Sequence, residues 1–182
     1  MRYPDRADVL LASSVVIFAC AVGLRHSYPP ARQTVPPEPA ETLAVGDSLP
    51  EFWKELSLVG RPSGLTLAFF YTTDCPWGRA SVRRLNRLRD EVRRTAGATA
   101  VAVSLSDSAS TASYASETGL AYPVARMTRG AARANWKVSE VPYTVLLDAS
   151  GRVRGSWTGV MDSTRYEAVR AMIRQTSHLR GG

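Results

Sequence analysis

The stretch from Gly64 to Gly78 limits the fold more than any other part of the chain. Gly64–Tyr71 (GLTLAFFY) is a short apolar and aromatic run bounded by glycine. A run of that length without a charge reads as a buried strand. Thr72-Thr73-Asp74-Cys75 follows, and then Pro76. Proline suits the first turn of a helix, where its missing N–H leaves no bond unmade, so Cys75 falls at the N-cap. Val82, Leu85, Leu88 and Val92 then recur at three- and four-residue spacing, with Arg79, Arg83, Arg87 and Arg94 among the polar positions. That pattern is an amphipathic helix.

The remaining pattern alternates in the same way. Ala98–Leu105 reads as a second buried strand, Ser108–Thr118 as a weaker helix, Tyr122–Met127 as a short strand and Thr128–Trp136 as a short helix. Val141-Pro142 precedes a clear strand, Tyr143–Asp148, which turns at Ala149-Ser150-Gly151 into a paired strand, Arg152–Thr158. Thr164 and Glu167 have capping-box spacing and open a last helix with Tyr166, Val169, Met172 and Ile173 inward. Strands alternating with helices, then a hairpin and a terminal helix, predict an α/β sandwich. Trp53, Trp136 and Trp157 read as core or edge packing. Trp77, in a turn with little core to fill, reads as exposed.

The N-terminus is built differently. Val9–Leu24 is sixteen residues without a charge, flanked by Arg2, Arg6 and Arg25. A spanning helix needs about 20 apolar residues, with 17 near the lower limit, so the segment could just cross a bilayer or serve as a signal-peptide core. Ile17-Phe18-Ala19-Cys20 partly resembles a bacterial lipobox, although Phe18 departs from it. Uncleaved anchor, lipoprotein and cleaved signal all imply export, with the domain on the extracytoplasmic (periplasmic) side of a bacterial inner membrane or secreted. A buried helix of a soluble domain is disfavoured because a linker comes next: residues 27–48 hold five prolines and no apolar periodicity. The expected division is an anchor or signal segment over 1–26, a Pro-rich linker over 27–48, and a domain over 45–182.

Composition excludes several classes. At 182 residues the chain has room for one domain with a remainder. Two cysteines exclude a disulfide-dense scaffold and a four-cysteine zinc site, and the two histidines, His26 and His178, lie far apart at the domain's margins. Neither a metal nor a cofactor is expected. The net charge of +7 sits wholly in the domain, since residues 1–48 carry four Arg against five Asp and Glu. Twenty-one of the 23 basic residues are Arg. A solvated basic surface is the favoured reading over a nucleic-acid or lipid site.

Three segments carry a resemblance to the thioredoxin-like superfamily, and within it to the membrane-tethered, redoxin-type thiol-disulfide proteins of bacteria. LAFFYTTDCPWGRASVRRL looks like the strand, active-site turn and first helix; VPYTVLLDASGRV looks like the cis-proline loop and its hairpin; Gly46–Gly60 looks like the lead-in. The resemblance spans roughly residues 45–178. It implies a thioredoxin-like α/β/α sandwich with a central mixed sheet, a cis Pro142 facing the cysteine, and Val141 offering backbone groups to an extended substrate. Trp77 would be a substrate-facing aromatic.

Cys75 is then the candidate nucleophile. The amide groups at a helix N-terminus favour the thiolate, which is the species that attacks disulfides or peroxides. Arg79, one turn on, should help, and the charge of Asp74 should oppose. The family pattern is C-x-x-C, whereas here it is Cys75-Pro76-Trp77-Gly78, so Gly78 stands where a resolving thiol belongs. The buried acid often found six residues before the first cysteine is Phe69 here. Both departures count against dithiol reductase turnover. The first reading is a monothiol enzyme that uses an external thiol, glutathione or another small thiol among them, to release a disulfide-bearing protein substrate. Two alternatives stay open. One is a non-catalytic thioredoxin-like binding module. The other is a one-cysteine peroxidase, for which Thr72 matches a peroxiredoxin threonine while Ala68 stands in place of that motif's proline.

Overall fold

The computed structural model describes residues 42–178. A five-stranded mixed sheet runs in the order β3-β2-β1-β4-β5. Its strands are β1 (Thr66–Tyr71), β2 (Thr99–Ser104), β3 (Val124–Arg126), β4 (Tyr143–Leu147) and β5 (Val153–Thr158). β1 pairs with β2 in parallel and with β4 antiparallel. All six residues of β1 are buried, as its uninterrupted apolar sequence requires of a strand covered on both sides.

Alternate residues of β1 feed two separate cores, because successive side chains of a strand point to opposite faces. Leu67, Phe69 and Tyr71 pack with Val82, Leu85, Leu88 and Val92 of α2 (Pro76–Arg93), Tyr114 of α3 (Ser108–Thr118), and Val169 and Ile173 of α5 (Ser163–His178). Ala68 and Phe70 pack on the other face with Phe52 of α1 (Phe52–Glu55), Ala132 and Trp136 of α4 (Arg129–Trp136), and Tyr143 and Val145 of β4. The result is a three-layer α/β/α sandwich. Trp136 is fully buried, its ring 5.1 Å from that of Phe70, and its indole N–H donates to Glu55 at 2.7 Å. Trp53 and Trp157 are half-buried and pack against the two cores.

Local chemistry sets the element ends. Asp107 caps α3 by accepting from the Ser110 amide, and Gly119 ends that helix at φ +66°, in the left-handed region open to glycine. Thr128 caps α4 by accepting from the Ala131 amide. The turn from β4 to β5 needs Gly151 at φ +86°, where a Cβ would collide with the Leu49 carbonyl.

Two expectations need correction. α5 is opened by Asp162, whose carboxylate accepts from the Arg165 amide at 2.8 Å, and not by a Thr164–Glu167 capping box. β3 is shorter than Tyr122–Met127, because the Tyr122 hydroxyl is turned into the core to donate to the Leu85 carbonyl, and Pro123 has no N–H for a ladder. Among the described residues no helix is long and apolar enough to cross a membrane. Val9–Leu24, Cys20 and nearly all of the proline-rich segment lie outside them.

Candidate functional site

The sheet brings two distant loops to one edge. β1 ends at Tyr71, and Phe70 lies opposite Tyr143, the first residue of the antiparallel β4. The turn after β1 and the residues before β4 therefore meet. Cys75 occupies the N-cap position of α2, with Pro76 at the first helical position. Its sulfur makes no bond to the helix it precedes. The half-buried thiol donates instead to the Val141 carbonyl, 3.7 Å away. The Val141–Pro142 peptide is cis and Pro142 is buried.

The turn is held from beneath. The Cys75 amide donates to the Thr72 carbonyl at 3.3 Å, and the Cys75 carbonyl accepts from the Gly78 and Arg79 amides. The Thr73 amide donates to the Ser106 hydroxyl at 3.1 Å, the Ser106 amide to Ser104, and Ser104 shares a 2.7 Å hydrogen bond with Thr111. On the other side, the Ser81 hydroxyl donates to the Trp77 carbonyl and accepts from the Met161 amide. Ser81, Ser104, Ser106 and Thr111 had no sequence signal, since hydroxyl residues in strands and helices look like ordinary polar positions.

Thr72 is buried, and its hydroxyl bonds to Asp74, which is exposed. That bond, with a backbone contribution, holds the Asp74 carboxyl below the usual carboxylate range. Trp77 is 62% exposed, beside Cys75 in the turn. Arg79 turns toward α3: its guanidinium pairs with Glu117 at 2.9 Å and lies 5.1 Å over the Tyr114 ring.

Gly78 and Tyr114 fit one another. Gly78 is buried, and a Cβ built on it would sit 3.3 Å from the Tyr114 hydroxyl. Tyr114 is 1% exposed, its ring 4.8 Å from that of Tyr71, and its hydroxyl has no protein partner. Burial, with smaller effects from Tyr71 and Cys75, pushes that hydroxyl up to about 12, while Arg79 pulls it down. The place next to Cys75 where a second thiol would enter is thus bounded by a phenol. Phe69 stacks 5.6 Å from Tyr71, and among the described residues no Asp or Glu is buried.

Residues 64–153 match the family model described as thioredoxin-like. The fold of the domain is thioredoxin-like. No curated protein matches the sequence. Among solved structures, a thiol:disulfide interchange protein DsbE assigned from Chlorobium tepidum superposes with a TM-score of 0.63 at 18% identity, covering 75% of this chain and 99% of that one. The thioredoxin domain of a Bacteroides vulgatus thiol-disulfide oxidoreductase gives 0.60 at 14%, covering 72% and 99%. A bacterioferritin comigratory protein from Xanthomonas campestris, described for alkyl peroxide reduction, gives 0.52 at 21%, covering 64% and 82%. At these identities the likeness is one of fold.

Proposed function

We propose that this thioredoxin-like protein is an exported, membrane-tethered monothiol thiol-disulfide oxidoreductase. The observation that carries the reading is the free Cys75 thiol at the head of α2, held against the Val141 carbonyl, with Gly78 at the resolving position. The Cys75 sulfur attacks one sulfur of a substrate disulfide. The substrate S–S bond breaks, a Cys75–substrate disulfide forms, and the other sulfur leaves as a thiolate. An external thiol then attacks the adduct, taking the substrate sulfur into a new disulfide and returning Cys75 to the thiol. Val141 and Pro142 would line the bound segment, and Trp77 would cover its outer side. With Ala68 in place of that motif's proline, the peroxidase reading has only Thr72 to rest on.

The test uses the full chain carrying Cys20→Ser, so that Cys75 is the one thiol. Treated with bis(2-hydroxyethyl) disulfide, it should gain one adduct by mass, lose it to added thiol, and gain none when Cys75→Ser is also present. A Cys75 that stays unmodified while unfolded controls react would leave the binding-module reading. Faster oxidation by hydrogen peroxide than by disulfide would favour the peroxidase. The tether rests on the uncharged Val9–Leu24 segment. The protein should fractionate with membranes, and protease added outside the inner membrane should release a fragment beginning within residues 27–48; a purely cytosolic full-length protein would end that part of the proposal.

A further inference from the structure

A cleft of about 230 Å³ opens beside the active-site turn. Thr72 and Val141 line it, the residues that accept from the Cys75 amide and the Cys75 thiol. Arg129 and Arg133 line it too, together with Val138 and Ser139. The two arginines lie four residues apart on α4, and residues at that spacing share one face of a helix.

Their charges are unspent. Most other arginines of the domain are committed: Arg79 to Glu117, Arg165 to Asp162, Arg170 and Arg174 to Glu91, Arg154 to Asp148. Among the described residues, Arg129 and Arg133 have neither an ion pair nor a side-chain hydrogen bond. The acids nearest in the chain do not neutralise them. Glu140 pairs with neither, and Arg129 is the weakest of the influences on Asp74. Arg83, Arg87 and Arg93 are unpaired as well, but they project from the exposed face of α2. Arg129 and Arg133 are exposed too, and differ in lining a concavity that reaches the hydrogen-bond partners of Cys75. A guanidinium pair with a serine hydroxyl beside it suits a carboxylate, which can accept several N–H bonds at once.

Resting on the thiol reading above, we propose that this cleft is a carboxylate subsite. It selects disulfide partners that carry a carboxylate a few bonds from the sulfur that joins Cys75. The shared chemistry is an acidic sulfur compound, either an acidic segment of a polypeptide or a small anionic thiol that resolves the adduct. The covalent step is the exchange already described; the arginines position its partner and take no part in bond making.

The experiment compares three small aliphatic disulfides on the full-length Cys20→Ser chain: 3,3′-dithiodipropionate (anionic), bis(2-hydroxyethyl) disulfide (neutral) and cystamine (cationic). Adduct formation at Cys75 is timed by mass spectrometry at low and high salt. The ratio of the anionic to the neutral rate should fall about tenfold in Arg129→Gln/Arg133→Gln, the size that two partly exposed charge pairs allow. The ratio for cystamine should move the other way, high salt should shrink both effects, and Arg129→Lys/Arg133→Lys should restore most of the anionic preference. A ratio unchanged within about twofold in the double Gln variant overturns the subsite. The two readings also fail separately. Binding of 3-(methylthio)propionate, which has no exchangeable sulfur, is followed through the amide resonances of Thr72, Ser139 and Val141. Absence of a saturable shift overturns the subsite whether or not Cys75 reacts. An inert Cys75 with a saturable shift removes the oxidoreductase reading and keeps the subsite.

A small anionic resolver would be distinguished from an acidic polypeptide by the second step. Release of a neutral hydroxyethyl adduct from Cys75 should be faster with 3-mercaptopropionate than with 2-mercaptoethanol, relative to their rates on a free cysteine adduct, if the resolver uses the cleft. Equal relative rates assign the cleft to the polypeptide substrate.

Discussion

Replacing Gly78 by alanine tests the packing that stands where a second thiol would be. Gly78 lies in the first turn of α2 with ordinary helical backbone, so alanine there gains intrinsic propensity. The full interior gain is up to about 1 kcal/mol, and roughly half of that is reasonable so near a helix end. Against it stands the Tyr114 hydroxyl, 3.3 Å from the new methyl, a few tenths of an ångström inside a relaxed contact. The phenol cannot swing away freely, since its ring is held between Tyr71 at 4.8 Å and the Arg79 guanidinium at 5.1 Å. Mild overpacking of this kind costs about 1 kcal/mol, the low end of its range. Gly78→Ala alone should therefore destabilise by roughly 0.5 kcal/mol. Tyr114→Phe removes a buried hydroxyl without a protein partner and should be neutral to slightly stabilising. In that background Gly78→Ala meets no oxygen and should stabilise by roughly 0.5 kcal/mol. The coupling between the two sites is then about 1 kcal/mol, well above the error of additivity for independent positions. Urea unfolding of residues 40–182, the compact unit that carries the whole sheet, measures it. Equal effects of Gly78→Ala in the two backgrounds, with unchanged slopes, would refute the packing argument.

Further outcomes follow from the same geometry. In Gly78→Cys the introduced thiol should form a reducible disulfide with Cys75, and more completely when Tyr114→Phe opens its space, read as disulfide content after mild oxidant; two unpaired thiols in both backgrounds would show that the turn differs from a C-x-x-C site. The Asp148 carboxylate is raised by burial but lowered further by the Ser150 hydroxyl, the Ser150 and Arg152 amides and Arg154, so its folded value lies below the unfolded one. The stability it gives is present above the ordinary carboxylate pKa of about 4 and is lost as pH falls through the folded value, so Asp148→Asn should cost about 1 kcal/mol at pH 7 and progressively less in acid. Trp136→Ala should cost about 3–5 kcal/mol, since it empties a fully buried site, with the urea midpoint as readout.

The layered fold was legible because β1 is apolar throughout and α2 repeats at helical spacing; both signals are local and strong. The position of Cys75 at the head of α2 was legible for the same reason, through Pro76. The opening of α5 was misread because Thr164 and Glu167 fit a capping pattern, while the residue that caps, Asp162, sits two positions earlier. The direction of Arg79 was not readable, since its partner Glu117 is supplied by another helix 38 residues away. The same holds for Gly78 and Tyr114. A glycine in a helix looks like a weakness until the phenol that fills its place is seen, and nothing within ten residues of either one announces the other. The arginine pair of α4 looked like part of a diffuse basic surface until the fold set it against Thr72 and Val141.

The hydrogen bond from Cys75 to Val141 joins atoms 66 residues apart. At a synthesis rate of about 5–20 residues per second, the cysteine exists for roughly 3–13 s before its acceptor is made. β1 cannot gain its antiparallel neighbour until β4 has followed, so the chemical setting of this thiol is one of the last things the growing chain acquires. Until then the sulfur lacks the acceptor that fixes its direction in the folded domain. Timing, as much as geometry, separates the nascent thiol from the mature one.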